Sequence, residues 1–526
     1  MSTSALHIVW FKRDLRIQDH PALTCASAAG PVLPLYIIEP SLVHAPDFDP
    51  AHWAFIEQSL HELREQLARR GQPLVIRVGE AVDVLEHLFQ QFPIAGLWSH
   101  EETGNWLTYQ RDIVVAKWAK YHNLIWQELP QSGVVRRLKS RDGWAEQWER
   151  YMRSPQSRTP DVLHPLPDIE IGNIPSTTDL GLAPSTRVDV QGGGEHEAEE
   201  TLRSFLYMRG ANYQRAMSSP ITAWDACSRL SPHLAWGTIS LRRVYQAMLQ
   251  RQEGLRMMDV KERAELSGPW LKAMVSFGSR LHWRSHFMQK LEDEPRIEFE
   301  NFNMAYDGLR ENEFNRDYFD AWCAGLTGYP LVDACMRAVC VTGYLNFRMR
   351  SLLVSFASYD LWLHWRETGI FLTRQWLDYE PGIHYSQMQM QSGTTGINTV
   401  RIYDPTKQAQ DQDPDGLFIR QWVPALANVP QAYIHMPWLM PVEVQRKAGC
   451  ILGDDYPMPL VDHKLAAKKA QVRIAALRKQ DTTREAARAV LLKHGSRKDT
   501  TRRMKLLRES GMQQLTLDLP DEASKT

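Results

Sequence analysis

The sequence predicts an α/β N-terminal domain with a Rossmann-like parallel sheet, followed by an all-α C-terminal domain. Three short apolar runs rich in β-branched and aromatic residues support the first domain, at residues 7–11, 32–38 and 74–78. Helical patterns separate these runs, and strands that alternate with helices are typical of βαβ units. From residue 195 onward strand-like runs are few and helical periodicity prevails, which predicts the second domain.

The domain boundaries follow from changes in composition. We expect the α/β domain over residues 1–135, an interdomain linker over 136–194, the helical domain over 195–460 and a basic helical tail over 461–526. Many prolines between 153 and 194, and a closing run of three glycines at 192–194, are typical of a long connection.

Composition places the chain among ordinary globular proteins. It has 526 residues, 43% of them hydrophobic and 23% charged, with a net charge of −1. The start lacks a signal-peptide pattern and no apolar run is long enough to cross a bilayer, so we expect a cytoplasmic, monomeric protein without a membrane partner. The six cysteines form no CxxC pair, which argues against a disulfide framework, a zinc site or an iron–sulfur cluster.

One turn has the chemistry of a phosphate site. Two hydroxyls and a cation precede Pro232, which suits the first turn of a helix. Free backbone N–H groups and serine hydroxyls there could hold a pyrophosphate. The alternative is an ordinary serine N-cap with no ligand. The residues concerned are Cys227, Ser228, Arg229, Leu230 and Ser231.

Five segments together resemble one family. They are WFKRDLRIQDHPAL (10–23), SRLSPHLAWGTIS (228–240), TGYPLVDACMR (327–337), RIYDPTKQ (401–408) and FIRQWVPAL (418–426). In this order and spacing they resemble the cryptochrome/photolyase family, from residue 7 to about 440. The resemblance implies an antenna-binding α/β domain and a helical FAD-binding domain that holds the flavin in a U shape. It also implies light-driven splitting of pyrimidine dimers in DNA, or, in cryptochromes, signalling.

The resemblance assigns cofactor roles residue by residue. Arg350 and Asp378 would form a charge pair beside the flavin ring. His384 would face the flavin N5 atom, where a histidine could exchange protons near neutral pH. The implied cofactor-binding residues are Tyr213, Cys227, Ser228, Arg229, Leu230, Ser231, Arg284, Arg350, Asp378, Glu380 and His384.

The electron-transfer and substrate positions depart from the family pattern. Trp322 and Trp365 match the later members of its tryptophan relay, but Met388 stands at the first, so the relay is interrupted there. Trp376, Trp362 or Tyr385 could supply a detour, or could serve packing alone. The implied DNA-contacting positions are Arg280, Trp283, Phe347, Arg348, Met390, Arg401 and Gln408.

Four of these positions carry unusual residues for dimer repair. Arg280 stands where the family has a glutamate, and Phe347 where it has an asparagine that bonds the pyrimidine edge. Met388 and Met390 replace two tryptophans. An arginine can donate to a base and a phenyl ring can stack, but neither reproduces the usual contacts.

The antenna and the tail complete the predictions. Leu107 and Thr108 stand where relatives have an Asn-Glu pair that binds folate, so folate is disfavoured and another chromophore, or none, is left. Residues 463–510 carry fifteen lysines and arginines against four acidic residues, which suits either a solvated helix or a surface for DNA. Gln514 to Leu519 resembles a peptide that binds bacterial sliding clamps.

Three functions are consistent with these features. The first is an FAD-dependent DNA photolyase that acts on UV-damaged DNA, double- or single-stranded. The second is a cryptochrome-like photoreceptor that binds FAD without repair, and the third is a DNA-binding flavoprotein that works in the dark. The basic tail and the clamp-like peptide favour the first, whereas the four unusual substrate positions count against ordinary dimer chemistry.

Overall fold

The computed structural model describes residues 5–166, 168–259, 266 and 268–495. Its N-terminal part is a five-stranded parallel sheet in the order β3-β2-β1-β4-β5. The strands are β1 Leu6–Phe11, β2 Val32–Ile38, β3 Val75–Val78, β4 Ile94–His100 and β5 Ile125–Leu129. The three apolar runs of the sequence are the first three strands, and helices cover both faces of the sheet, so the predicted Rossmann-like fold is confirmed.

The first six α-helices belong to this half and to the connection that follows it. They are α1 Pro21–Ala29, α2 Pro40–Val43, α3 Pro50–Ala68, α4 Ala81–Gln91, α5 Trp106–Tyr121 and α6 Trp144–Arg153. The last of them lies inside the predicted linker, residues 136–194. Trp144, Trp148 and Met152 of α6 are buried in the core of the helical half. The connection is therefore partly ordered by packing, although residues 154–166 and 168–194 have no regular element.

The rest of the described chain is helical, as predicted. The helices are α7 Glu195–Ser204, α8 Tyr213–Ala216, α9 Pro220–Ala226, α10 Ser231–Trp236, α11 Leu241–Met257, α12 Trp270–Asp293, α13 Arg316–Ala324, α14 Pro330–Thr342, α15 Phe347–Ser355, α16 Trp365–Gln375, α17 Pro381–Ser392, α18 Pro405–Gln412, α19 Leu417–Trp422, α20 Val442–Ala448, α21 His463–Arg478 and α22 Asp481–His494. Two π-helical turns, Phe205–Arg209 and Phe356–Asp360, interrupt the pattern, as such turns often do near functional sites.

The two halves share an apolar interface. Ala235, Trp236 and Leu377 of the helical half pack into the same buried cluster as the helices on one face of the sheet. Arg13, just after β1, reaches across and donates to the carbonyl oxygens of Ala235 and Tyr379 at 2.9 and 2.6 Å. The carboxyl end of β1 thus contacts the loop between α16 and α17.

None of the described helices is both long and apolar enough to span a membrane. The basic helix α21 packs against the π-turn 356–360 and contributes Ala470 and Ile474 to a small core. The sliding-clamp-like peptide, Gln514 to Leu519, and the tail from residue 496 lie outside the described residues.

Candidate functional site

The 227–231 turn is hydrogen-bonded by a half-buried arginine from the π-turn before it. Arg209 donates to the carbonyl oxygens of Cys227 and Ser228, the latter at 2.7 Å. Leu230, not a serine, is the N-cap of α10, and no side chain caps that helix. Ser231 instead hydrogen-bonds Asp378, so the alternative of an ordinary serine cap is excluded.

Arg229 occupies an unusual position at the centre of this turn. Its backbone has φ of +61°, a left-handed conformation that is strained for a non-glycine residue. Its guanidinium carbon lies 4.0 Å from the ring centroid of Trp224 and 3.7 Å from that of Tyr344. Burial lowers its pKa, and among the described residues its Nη1 has no hydrogen-bond partner. Arg229 is half-buried, but this one donor atom is buried, and a cation with a buried free donor is suited to an anionic ligand.

Arg350 and Asp378 form a two-fold hydrogen-bonded ion pair. Both guanidinium nitrogens of Arg350 lie 3.0 Å from the carboxylate oxygens of Asp378. Burial favours the neutral acid, but Arg350 and the Ser231 hydroxyl outweigh it and lower the pKa of Asp378. Arg350 also lies over the Trp376 ring at 4.3 Å. The predicted pair therefore exists, and it is joined to the 227–231 turn through Ser231.

A second pair flanks the same loop. Arg284 of α12 donates to Glu380 at 2.7 Å and to the carbonyl oxygen of Leu234 at 2.8 Å. Glu380 is the N-cap of α17 and is 5% exposed. Within the described ranges the Nε of Arg284 is buried without a partner. Two arginines near this loop thus retain unused donors.

His384 lies on α17, one turn after Glu380. Its Nε2 is 3.1 Å from the carbonyl oxygen of Gly369, so Nε2 carries the proton in the neutral ring. Burial lowers its pKa to about 3, and the Gly369 carbonyl only partly opposes this. The expectation that His384 exchanges protons near neutral pH is corrected accordingly, because the imidazolium would be desolvated.

The relay positions are core residues in the structure. Trp322, Trp365 and Met388 belong to one buried cluster together with Trp376 and Tyr385. Trp365 donates from Nε1 to the Asn301 side chain at 2.7 Å. Trp362 lies elsewhere, in the small core beneath α21. Two of the three proposed detours, Trp376 and Tyr385, thus remain in the cluster that contains Met388.

The predicted DNA-contacting residues lie at or near the surface. Phe347 is 46% exposed, and the other six are half-buried. Arg280 hydrogen-bonds the buried hydroxyl of Tyr213 and approaches Met217. Trp283 stacks on Phe287 with ring centroids 5.7 Å apart. The half-buried members are Arg280, Trp283, Arg348, Met390, Arg401 and Gln408.

Sequence reasoning missed several residues that shape this site. Arg209, Trp224, Tyr344 and Gln191 position Arg229 and the turn, Gln191 by donating to the Arg229 carbonyl oxygen at 2.8 Å. Gln191 comes from the predicted linker. Arg209 and Trp224 lie within 20 positions of the turn in the sequence, whereas Gln191 and Tyr344 lie farther away, so proximity to the turn could have indicated only the first two.

One buried cluster contains the residue types of a metal site, but its side chains hydrogen-bond one another instead. Asp14 lies between His20 at 3.1 Å and His100 at 2.6 Å. The backbone N–H of Leu23 donates to Nδ1 of His20, so its Nε2 must carry a proton and points at Asp14. A protonated nitrogen cannot bind a metal ion, and the cluster is a hydrogen-bonded network.

The residues around the turn fit a flavin dinucleotide. Unpaired buried donors on Arg229 and Arg284 suit phosphate oxygens. The Arg350–Asp378 pair offers one charge of each sign at the edge of a ring system, and the buried acceptor Asn346 Oδ1 also has no partner among the described residues. This donor set matches a ligand with a diphosphate and a polar aromatic ring.

Comparison with known proteins identifies the family. The family model described as the FAD binding domain of DNA photolyase matches residues 277–476, and the DNA photolyase model matches residues 7–141. The deoxyribodipyrimidine photo-lyase of Salmonella typhimurium is 29% identical over 91% of this chain and 99% of its own. The chain belongs to the cryptochrome/photolyase family.

Two further relatives represent both branches of the cryptochrome/photolyase family. Cryptochrome DASH of Gloeobacter violaceus is 29% identical over 88% of this chain and 94% of its own. The crystal structure of a bacterial class III photolyase from Agrobacterium tumefaciens superposes with a TM-score of 0.77 at 26% identity, covering 91% of this chain and 99% of that one. The FAD-binding match includes Arg284, Arg350, Asp378, Glu380 and His384, whereas the 227–231 turn lies between the two matches.

Proposed function

We propose that the protein is an FAD-dependent, light-driven DNA photolyase that splits UV-induced pyrimidine dimers. The observation that carries this proposal is the Arg350–Asp378 pair, joined through Ser231 to a turn in which Arg229 has a buried donor without a partner among the described residues. It lies partly within the region that matches the FAD-binding domain.

Different residues bind different parts of the cofactor. Arg229 and Arg284 bind the diphosphate through their unused donors, and Arg209 keeps the turn in shape. Arg350 and Asp378 place balanced charges at the ring, so that a change in its charge is compensated locally. His384 presents a neutral imidazole whose Nε2 proton is held by Gly369. Bound FAD supplies light absorption and one-electron transfer.

The exposed residues beside this site supply the substrate surface. Phe347 offers a ring for stacking on an extruded base, and Arg348 and Arg280 offer cations for phosphate or base oxygens. Arg401 precedes α18 and Gln408 lies in its first turn, where Asp404 already accepts from the backbone N–H groups of Thr406 and Lys407, so any DNA contact there is made by the side chains. DNA, double- or single-stranded, is therefore the proposed partner, and the working compartment is the cytoplasm.

A cryptochrome-like photoreceptor is the second candidate. Phe347 cannot hydrogen-bond a pyrimidine edge, Met390 removes an aromatic ring from the substrate side, and Met388 removes the first ring of the relay. These three residues specifically favour a flavoprotein that binds DNA without repairing it.

One experiment separates the two candidates. The purified holoprotein, with its flavin reduced, is illuminated with oligonucleotides that carry either a cyclobutane dimer or a (6-4) product. Light-dependent repair of either lesion, measured by chromatography, supports the photolyase. Tight binding without any repair of either lesion, together with stable photoreduction, supports the photoreceptor.

Two finer assignments accompany this function. A cavity at the carboxyl ends of β1 and β2 is lined by Tyr36, Glu39 and Arg111. It suits a second chromophore other than folate, since Leu107 and Thr108 replace the folate-binding pair. We also propose that Gln514 to Leu519 binds a sliding clamp. A clamp pull-down that is equal with and without residues 512–526 would remove that assignment.

A further inference from the structure

Two buried tyrosines and an aspartate form a hydrogen-bonded chain between the two halves of the molecule. The hydroxyl of Tyr379 lies 2.8 Å from Oδ2 of Asp47 and 3.3 Å from the hydroxyl of Tyr385. Tyr379 is 5% exposed and Tyr385 3% exposed. Asp47 also accepts from the Asn105 side chain at 2.8 Å.

The direction of each hydrogen bond follows from the groups involved. A carboxylate can only accept, so the single O–H of Tyr379 is donated to Asp47. The hydroxyl of Tyr385 must then donate to the oxygen of Tyr379. The result is an ordered chain in which the phenol of Tyr379 has a base within hydrogen-bond distance and a donor on its oxygen.

This chain begins beside the proposed flavin site. Tyr379 follows Asp378 directly, and its ring centroid lies 5.5 Å from that of His384. The ring of Tyr385 lies 5.3 Å from the same imidazole. Met388, one turn further along α17, stands where the family's tryptophan relay begins and cannot easily be oxidised. Buried, oxidisable rings in the same cluster as Met388 include Trp376 and the two tyrosines.

We propose that Tyr379 is a redox-active residue that delivers an electron to the light-excited, oxidised flavin, with Asp47 as its proton acceptor and Tyr385 as its hydrogen-bond donor. This inference rests on the proposed FAD site. In the step, Tyr379 loses one electron to the flavin, its O–H bond breaks and the proton forms a bond with Oδ2 of Asp47. The product is a neutral phenoxyl group beside a protonated carboxyl group. An external thiolate then returns one electron and becomes a thiyl radical, while Asp47 returns the proton to the phenoxyl oxygen.

The environment favours this coupled step over plain electron loss. Burial raises the pKa of Tyr379 well above its usual value, so the phenol is protonated before oxidation. A buried cationic phenol would be uncompensated, whereas transfer to Asp47 leaves only neutral groups on the chain. Within the described part of the chain the Trp376 indole has no comparable acceptor. Its ring also lies under the Arg350 guanidinium, which disfavours an indole cation.

The experiment must distinguish the redox role of Tyr379 from a purely structural role. Asp47 belongs to the α/β half and Tyr379 to the helical half, so their bond also ties the two together. Loss of this tie would alter stability and FAD retention. It would not remove a tyrosyl radical or a solvent isotope effect.

The experiment uses the holoprotein and the variants Tyr379→Phe, Tyr385→Phe and Asp47→Asn. Tyr359→Phe is the control, since Tyr359 is a buried tyrosine in the core beneath α21. FAD content and thermal stability are measured first. Samples are then illuminated with blue light, frozen and examined by electron paramagnetic resonance, with ring-deuterated tyrosine to identify phenoxyl signals. Flavin photoreduction is timed in H₂O and D₂O.

We expect a deuteration-sensitive phenoxyl signal and a solvent isotope effect in the wild type and in Tyr359→Phe. Tyr379→Phe should lose the signal, and Tyr379→Phe and Asp47→Asn should photoreduce about a hundredfold more slowly, since a positioned base contributes on this order. Tyr385→Phe should keep a signal of shorter lifetime.

Three outcomes would overturn the inference while leaving the flavin site intact. These are an indole-type radical in the wild type, an unchanged signal in Tyr379→Phe, and altered stability of that variant with unchanged photoreduction. A wild-type protein that cannot be loaded with FAD would instead remove the proposed function itself.

Discussion

At the scale of single residues, the site depends on charges that are buried and paired. Asp378 receives two hydrogen bonds from Arg350 and one from Ser231, which together overcome the cost of burying its charge. Arg229 and Arg284 are the opposite case, because part of each guanidinium is left without a partner in the described structure. Such donors are costly unless a ligand satisfies them.

Removing either member of the Arg350–Asp378 pair should weaken FAD retention. Arg350→Ala and Asp378→Ala each leave an uncompensated buried charge, which costs about 3 to 5 kcal/mol. We expect purified variants to carry far less flavin. The measurement is the ratio of absorbance at about 450 nm, where oxidised flavins absorb, to absorbance at about 280 nm. Asp320→Ala, which breaks the exposed pair with Arg316, is the control and should keep its yellow colour.

The pH dependence of stability offers a test of the buried His384. Its pKa in the folded protein is about 3, below the unfolded value of about 6.5. The unfolded chain therefore binds the extra proton between these values, and wild-type stability falls as pH decreases through this window. His384→Asn should reduce that slope by up to about 1.4 kcal/mol per pH unit. Urea unfolding at several pH values between 4 and 8 measures it, and parallel curves would contradict the assignment.

Part of the site could be predicted from sequence and part could not. The family resemblance predicted the roles of Arg350 and Asp378, and the 227–231 turn was also indicated by its own hydroxyls, cation and following proline. The Tyr379–Asp47 bond joins residues 332 positions apart, so no local pattern reports it. The same holds for Trp224 and Tyr344, which contribute rings to Arg229 from two separate segments.

At the scale of elements, local composition decided which strands could be predicted. The strands β1 and β2 are apolar and almost entirely buried, and the edge strand β3 begins with buried Val75 and Ile76. The sequence of β4 includes Gly96, Ser99 and His100, and the edge strand β5 is mostly half-exposed and includes Glu128. Those polar residues interrupt the apolar runs by which strands are recognised in the sequence. In the structure, parallel pairing with β1 and with each other places β4 and β5 in the sheet.

The C-terminal helix α22 is attached chiefly through one carboxylate. Glu294 accepts from Lys493 at 3.0 Å and from His494 in a short hydrogen bond. Burial opposes ionisation of Glu294, but these hydrogen bonds lower its pKa to about 2. The helix otherwise buries only a few side chains, such as Ala487 and Val490.

Glu294→Gln should therefore loosen α22 without unfolding the rest of the protein. Loss of a charged hydrogen bond costs about 1.5 to 3 kcal/mol, which would raise amide hydrogen exchange across Asp481–His494 by about tenfold or more. Glu485→Gln, an exposed change on the same helix, should leave exchange unchanged. Faster exchange throughout the helical half would show that the effect is not confined to α22.

At the scale of the whole molecule, buried polar contacts join the two halves. Glu195 accepts from the backbone N–H groups of Ile17 and Gln18 at 3.1 and 3.0 Å. Asp19 pairs with Arg242 and accepts from the Ser240 hydroxyl at 2.6 Å. Although burial favours the neutral acid, these partners lower the pKa of Asp19. Together with the shared apolar cluster, these contacts predict that the two halves unfold as one unit.

Neighbouring arginines on α11 allow a matched test of this coupling. Arg242 and Asp19 have side chains that are 7% and 2% exposed, whereas Arg243 and Glu199 form a pair that is 31% and 26% exposed. Arg242→Met leaves a buried carboxylate and should lower the free energy of unfolding by about 3 kcal/mol. Arg243→Met should lower it by about 1 kcal/mol or less.

The outcome depends on what each spectroscopic probe reports. Urea unfolding followed by far-ultraviolet circular dichroism senses both halves, and release of FAD senses the helical half. If the halves are coupled through Asp19 and Arg242, both probes should shift to lower urea together in Arg242→Met and should shift little in Arg243→Met. Separate transitions already present in the wild type would contradict the coupling, because an interface that binds the halves weakly would let the sheet melt while the flavin site stays folded.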